Sequence, residues 1–407
     1  MKKTILKEYA KLIARTGVNI QKGQDVVINA ELDQPKFVEI LTKECYRAGA
    51  RSVEVQWTHS PLTKLHVKYK SQKTLSEVLS WEEEKLKYRT ETLPCMIYLL
   101  SEDPDALVGI DQAKLSKSQQ DRYKVIKPYR DMMDNKYQWC IAAVPGAKWA
   151  KKIFPEFSKN LAIENLWEKI LYTSRALENP IENWEKHNAD LKSRCDYLNS
   201  LGIKKLHYTS KNGTDLTVGM IDTAIFMGGG EYSLQGIYYN PNIPSEECFI
   251  SPKKGEAEGI VYSTKPLSYR GEIISDFYIK FKDGKAVEWQ AKENNDLLSE
   301  LLNMDEGAKY LGECALVPYD SPINNCGVLF YNTLFDENAS CHLALGEGFS
   351  NTLRDYDKMT LEECREKGIN NSIIHEDFMI GYEDLNIDAV TASGETVPVF
   401  RNGIWAF

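Results

Sequence analysis

The stretch 23-GQDVVINAELDQPKFVEILTKECYRAGARSVEVQW-57 decides the fold of the chain's first half. GQDVVINA (23–30) follows a glycine turn and reads as a strand, QPKFVEILTKECYRAG (34–49) as an amphipathic helix, and SVEVQW (52–57) as a second strand. Strand, helix and strand form one βαβ unit, which favours a parallel sheet with helices on its faces. Working outward, TILKEYAKLIA (4–14) has a helical pattern. LPCMIYLL (93–100) and QWCIAAVPG (138–146) are apolar runs of strand length. The alternation suggests dinucleotide binding, but no G-x-G-x-x-G follows a strand, and that reading is set aside.

A polar helical stretch, 179-NPIENWEKHNADLKSRCDYLNSLGI-203, links or caps the two halves and places a boundary near residue 190. Residues 1–190 are expected to form an α/β domain with a mostly parallel sheet. Residues 191–407 are expected to form a mixed α+β, β-rich domain. HYTSKNGTDLTVGM (207–220) alternates around Asn212-Gly213, and FYIKFKDGKAVEW (277–289) around Asp283-Gly284, both hairpin signals. The last thirty residues read as short strands with turns, Asn402-Gly403 among them, and a helix is expected near 293–303.

The 407 residues are enough for two domains and a large core. Lys and Arg number 50 against 59 Asp and Glu, a net charge of −9 with no long basic run. Nucleic acid and anionic membranes are therefore excluded as expected partners. Lys7, Glu8 and Lys11 interrupt the apolar core a signal peptide would need, and no apolar run reaches membrane-spanning length. Nine scattered cysteines without a C-x-x-C pair read as reduced thiols of a cytoplasmic protein.

Four polar clusters stand out, all in the second half. In 240-NPNIPSEECFISP-252, prolines stiffen the backbone around Ser245-Glu246-Glu247. The adjacent carboxylates then point in different directions, one able to ligate a metal and the other to face a water. A solvated acidic loop is the plainer reading of that segment. In 307-GAKYLGECALVP-318, Glu313 lies in apolar company, which is costly unless it is paired or coordinated; a water-facing edge-strand glutamate is the alternative. In 336-DENASCHLALGEGFS-350, Asp336, Glu337 and His342 fall within seven residues but do not match H-E-x-x-H, and a helix start with a packed histidine stays open. In 373-IIHEDFMIG-381, a strand would put His375 and Asp377 on one face, as a metal pair or a surface ion pair.

Together the clusters offer Glu247, Glu313, Glu337, His342, His375 and Asp377, an oxygen-rich set without thiolates. That exceeds one catalytic zinc and suits two ions sharing a carboxylate. Cys248, Cys314 and Cys341 adjoin these residues and read as packing residues.

The series GTDLTVG (213–219), NIPSEECFISP (242–252), LGECALVP (311–318), DENASCHLALG (336–346) and HEDFMIG (375–381) resembles the thermophilic aminopeptidase family, cocatalytic metallo-exopeptidases. The resemblance implies metal ligation by Glu247, by Glu313 as the bridging carboxylate, and by Glu337, His342, His375 and Asp377. It implies two divalent cations (zinc, cobalt or manganese), a homodimer, and an α/β domain before the metal-binding one. The family's tyrosine seven residues after the motif histidine is replaced here by Phe349, while Tyr356 lies seven residues further on.

The expected function is a metal-dependent aminopeptidase acting on peptides with a free N-terminus through a metal-activated water, with Glu246 as general base. The alternative is a metal-binding relative with weak or no peptidase activity, since a phenyl ring at 349 cannot donate to an oxyanion. A dimetal phosphoesterase is weaker still, because no basic cluster is present to hold phosphate.

Overall fold

The computed structural model describes residues 1–407. The chain divides into two compact units, Met1–His187 with Gly230–Pro244, and Asn188–Gly229 with Ser245–Phe407. The break at His187 falls inside the helix Pro180–Ser200.

The first unit is built on a five-stranded, wholly parallel sheet. Its order is Ser52–Thr58, Asp25–Glu31, Cys95–Leu100, Trp139–Ala143 and Asn242–Ile243. The interior strands are almost continuously buried, as strands covered on both faces must be, whereas the Ser52–Thr58 edge is largely exposed. The helix Pro35–Ala48 makes the crossover and buries Phe37, Val38, Leu41 and Cys45. It ends at Gly49, whose φ of 117° continues the chain in a left-handed conformation. The parallel sheet and its crossover helix agree with the sequence expectation. The fifth strand differs from it: Asn242–Ile243 lies beyond residue 190, yet pairs with Ile141 and Ala142. Two residues between Pro241 and Pro244 carry no readable periodicity.

The second unit holds two antiparallel sheets. The larger has nine strands and includes the hairpins expected from the sequence. Asp283 and Gly284 (φ 50° and 75°) and Asn402 and Gly403 (φ 52° and 76°) form two-residue turns with both central φ positive, the arrangement whose twist matches a hairpin. The helix Asn295–Leu302 buries four leucines.

The smaller sheet has four strands in the order Cys248–Ile250, Leu311–Leu316, His342–Gly346 and His375–Met379. One apolar core joins the two sheets. Leu206, Tyr208, Leu216 and Val218 of the larger share it with Cys314, Leu316, Leu343, Leu345 and Phe378 of the smaller.

Candidate metal centre

The four-stranded sheet sorts its residues by the two-residue period of a strand. Cys248, Ile250, Cys314, Leu316, Leu343, Leu345 and Phe378 belong to the core. The register sets Phe249 opposite Ala315, Ala315 opposite His342, Glu313 opposite Ala344, Ala344 opposite Asp377, and Gly346 opposite His375. Alternation therefore puts Glu313, His342, His375 and Asp377 on the other face, and Glu247, two residues before Phe249, continues that row. Ala344 lies between Glu313 and Asp377 and leaves their carboxyl groups room to approach.

Glu337 arrives from a short helical turn, Glu337–Ala339, just before the His342 strand. The turn is tied into the site by Asn338, which is fully buried. Its Oδ1 accepts from the Glu246 backbone N–H at 2.7 Å, and its Nδ2 donates to Leu334 O at 3.1 Å and Glu337 Oε1 at 3.2 Å.

The side chains converge. His342 Nε2 lies 3.4 Å from Glu247 Oε2 and 3.9 Å from Asp377 Oδ1. His375 Nε2 lies 3.0 Å from Glu313 Oε2 and 3.4 Å from Asp377 Oδ1. Two sets of donor atoms, each mutually within 4.8 Å, result: Glu247, Glu313 and His342, and Glu313, His375 and Asp377. Glu313 belongs to both.

Electrostatically the cluster is strained by its own charge. Burial, with the neighbouring charges of Asp377 and Glu247, holds the Glu313 carboxyl above its ordinary range. Glu337 is pushed well above it by burial and by Asp377, Glu247 and Glu313. Burial disfavours the His342 cation, but the Glu247 hydrogen bond and the charges of Asp377, Glu247 and Glu313 outweigh it and raise the imidazole to about 9. His375 is raised well above its usual value in the same way, mainly by Asp377.

Packing three buried carboxylates and the partly buried Glu337 around two imidazoles is unfavourable unless further positive charge compensates them. Asp377 Oδ1 has no hydrogen-bond donor despite its burial. An oxygen-rich set with two imidazoles and an orphaned carboxylate oxygen fits divalent cations of the zinc, cobalt and manganese type. Both ring orientations fit as well. Each Nδ1 faces a backbone carbonyl, Ser340 O at 3.4 Å for His342 and Glu347 O at 2.8 Å for His375. A carbonyl can only accept, so the neutral rings carry hydrogen on Nδ1 and aim the Nε2 lone pair into the cluster.

All six sequence-read ligand candidates lie at this face or at its border. The edge-strand alternative for Glu313 is overturned, because Leu311–Leu316 is an interior strand and Glu313 is 4% exposed. The third cluster opens on the helical turn Glu337–Ala339 with Asp336 at its N-cap, as the helix-start alternative had it, and His342 is buried. The helix Thr333–Asp336 ends at Asp336, whose carboxylate accepts from the Phe330 and Asn332 backbone N–H groups, and His342 begins a strand. Glu246 is buried beside Glu247 but belongs to neither donor set. Phe349 packs on the His375 ring, centroids 4.8 Å apart, and edge-on against Phe249 at 5.6 Å. Tyr356 packs instead on a separate cluster containing Leu353 and Ile369. Asn338 is the residue sequence reasoning missed: nothing in its neighbourhood distinguishes it from any turn asparagine.

An α/β unit followed by a β-rich unit that gathers this donor set has the makings of a metalloprotease. The thermophilic metalloprotease (M29) family matches residues 2–405, and the chain belongs to that family. It is 41% identical over 404 residues to aminopeptidase AmpS of Bacillus subtilis, covering 99% of this chain and 98% of that protein. Aminopeptidase 2 of Geobacillus stearothermophilus is 37% identical and aminopeptidase T of Thermus thermophilus 33%, each covering 98% or more of both chains. The solved structure of wild-type AmpT from Thermus thermophilus superposes with a TM-score of 0.90 at 32% identity, covering 100% of both chains. The chain is accordingly a metalloaminopeptidase. No helix is long and apolar enough to cross a membrane.

Proposed function

We propose that the protein removes N-terminal amino acids from peptides using a water activated between two divalent cations. The observation that carries this reading is the membership of Glu313 in both donor sets. One ion would be held by Glu247, Glu313 and His342, the other by Glu313, His375 and Asp377, with Glu337 completing the shell beside Asp377. When bound, such ions polarise a carbonyl and lower the pKa of water.

The chain's own residues do the rest. The Nδ1–H bonds of His342 and His375 to backbone carbonyls keep both Nε2 atoms aimed inward. Glu246, its backbone held by Asn338, is the proton acceptor for the attacking water. A site carboxylate receives the substrate's α-ammonium group, which explains the requirement for a free N-terminus. The half-buried rings of Phe249 and Phe349 shield the cluster from bulk water.

Metal-stripped protein should be inactive on aminoacyl p-nitroanilides, recover on addition of zinc, cobalt or manganese, and contain two ions per chain by mass spectrometry. One ion per fully active chain would refute the two-ion scheme.

A second reading has a specific observation behind it. Phe349 stands against His375 with no hydroxyl to offer, so the protein would bind metal while turning over slowly. The nine cysteines, none of them in a disulfide, support the proposed cytoplasmic location. The homodimer implied by the resemblance is checked by light scattering.

A further inference from the structure

The two imidazoles of the centre are anchored differently. His342 uses the carbonyl of Ser340, two residues back on its own chain, at 3.4 Å. His375 uses the carbonyl of Glu347, 28 residues away, at 2.8 Å. A carbonyl borrowed from a separate turn orients a ring only if that turn is itself immobile.

What immobilises it is Asn370, 1% exposed and five residues before His375. Its Nδ2 donates to Gly346 O at 2.6 Å and to Gly307 O at 2.8 Å, and its backbone carbonyl accepts from Gly348 N–H at 2.9 Å. The residues on both sides of Glu347 are thus bonded to Asn370, while the Glu347 N–H itself donates to Ile374 O at 2.7 Å. Glycine makes the fit possible. A Cβ at position 312 would stand 2.2 Å from the Glu347 carbonyl oxygen, and one at position 346 would stand 2.1 Å from Ile374 O.

We propose that Asn370 is a positioning residue of the metal centre: its amide fixes the Glu347 carbonyl, which holds the His375 ring with Nε2 facing Glu313 and Asp377. The proposal rests on the two-ion reading above. It implies that Asn370 governs the ion held by His375 and Asp377 and not the one held by Glu247 and His342. Partners that orient a ligating histidine are typically worth about 10–100-fold in metal affinity.

The test is a double-mutant cycle read by calorimetric zinc titration of the full-length, metal-stripped protein. Asn370→Ala is expected to weaken one zinc site about 10–100-fold and leave the other unchanged. In a His375→Ala background the same substitution should have no further effect, because the ring it positions is gone. Asn370→Ser, which keeps one donor, should fall between wild type and Asn370→Ala, and it replaces that variant in the cycle if the alanine protein does not fold. The proposal is overturned if Asn370→Ala leaves zinc affinity unchanged, weakens both sites equally, or costs as much without His375 as with it. A wild-type protein that binds no zinc refutes the metal reading itself, and the inference with it. Additivity in a wild type that does bind zinc overturns this inference alone.

Discussion

Glu313→Gln tests the centre most directly. The change is isosteric, removes one charge, and takes one of three donors from each set. Loss of a ligand weakens binding at least as much as loss of an outer partner, so a hundredfold loss per ion is a conservative figure. That corresponds to about 2.7 kcal/mol. At a zinc concentration about 1,000-fold above Kd, each ion stabilises the wild type by about 4.1 kcal/mol; after the weakening the excess is about tenfold and the stabilisation about 1.4 kcal/mol.

The metal-free protein should respond in the opposite sense. Glu313 is 4% exposed, and burial together with Asp377 and Glu247 raises its carboxyl above the ordinary glutamate value. A group whose folded pKa is raised contributes stability at low pH and loses it as pH climbs through the folded value. Metal-free Glu313→Gln, free of that liability, should equal or exceed the metal-free wild type at neutral pH. Its advantage should shrink as the pH falls towards the unfolded value of 4.5 and vanish below it, where the wild-type carboxyl is neutral in both states. The Gln Oε1 can still accept from His375 Nε2, so little is lost there. The assay is thermal unfolding of both proteins, metal-stripped and zinc-loaded, across pH. A variant with the full wild-type zinc shift, or one that melts well below the metal-free wild type, would refute the reasoning.

Three further outcomes are expected. Phe349→Tyr adds a phenolic donor beside His375 and should raise kcat by about 10²–10³ with zinc affinity unchanged; steady-state kinetics with an unaltered kcat would count against an oxyanion role at this position. Zinc binding needs neutral imidazoles, and His342 in the metal-free protein is raised to about 9, so affinity should climb with pH up to about 9 and binding should release protons. Calorimetry in buffers of different ionisation enthalpy measures that release, and a pH-independent affinity contradicts it. Asn338→Ala leaves the buried Glu246 N–H without its acceptor and should cost about 1–3 kcal/mol in denaturant unfolding.

Much of the first unit was legible because a parallel sheet buried on both faces produces apolar runs, and Asp25–Glu31, Cys95–Leu100 and Trp139–Ala143 all appear as such. The Asp283-Gly284 and Asn402-Gly403 turns were legible because both need consecutive positive φ, which few residue pairs tolerate. The strand Asn242–Ile243 was not, since its place depends on a partner a hundred residues away and on two proline-flanked positions. In the site, the period-two pair His375 and Asp377 could be read locally. The burial of Glu313 could not, because an interior and an edge strand share one pattern and only the neighbours Cys248–Ile250 and His342–Gly346 distinguish them. Asn338 and Asn370 were invisible, as the bonds that tie them to the site, to Glu246 N–H and to Gly346 O, run to backbone groups brought close by folding alone.

The four-stranded sheet also explains why the donors are scattered along the chain yet need little adjustment in space. Each strand spends one face on the shared core, and that face fixes its register: a slip of one residue would move Leu343 and Leu345 out of the core and His342 into it. The apolar alternates therefore specify the polar ones. Glu313, His342, His375 and Asp377 meet across paired strands, with one register irregularity between Leu311 and Glu313, and Ala344 in the middle of the row leaves the gap they share. Only Glu337 and Glu247 come from outside regular strands, and each accepts a hydrogen bond from a neighbouring side chain, Glu337 from Asn338 Nδ2 and Glu247 from Ser245 Oγ. The strands inherit their register from the core, whereas the border residues and the His375 ring are held by bonds built residue by residue. Substitutions at Leu343 or Leu345 should thus disturb the whole centre through register and stability, while substitutions at Asn338 or Asn370 should disturb one corner of it.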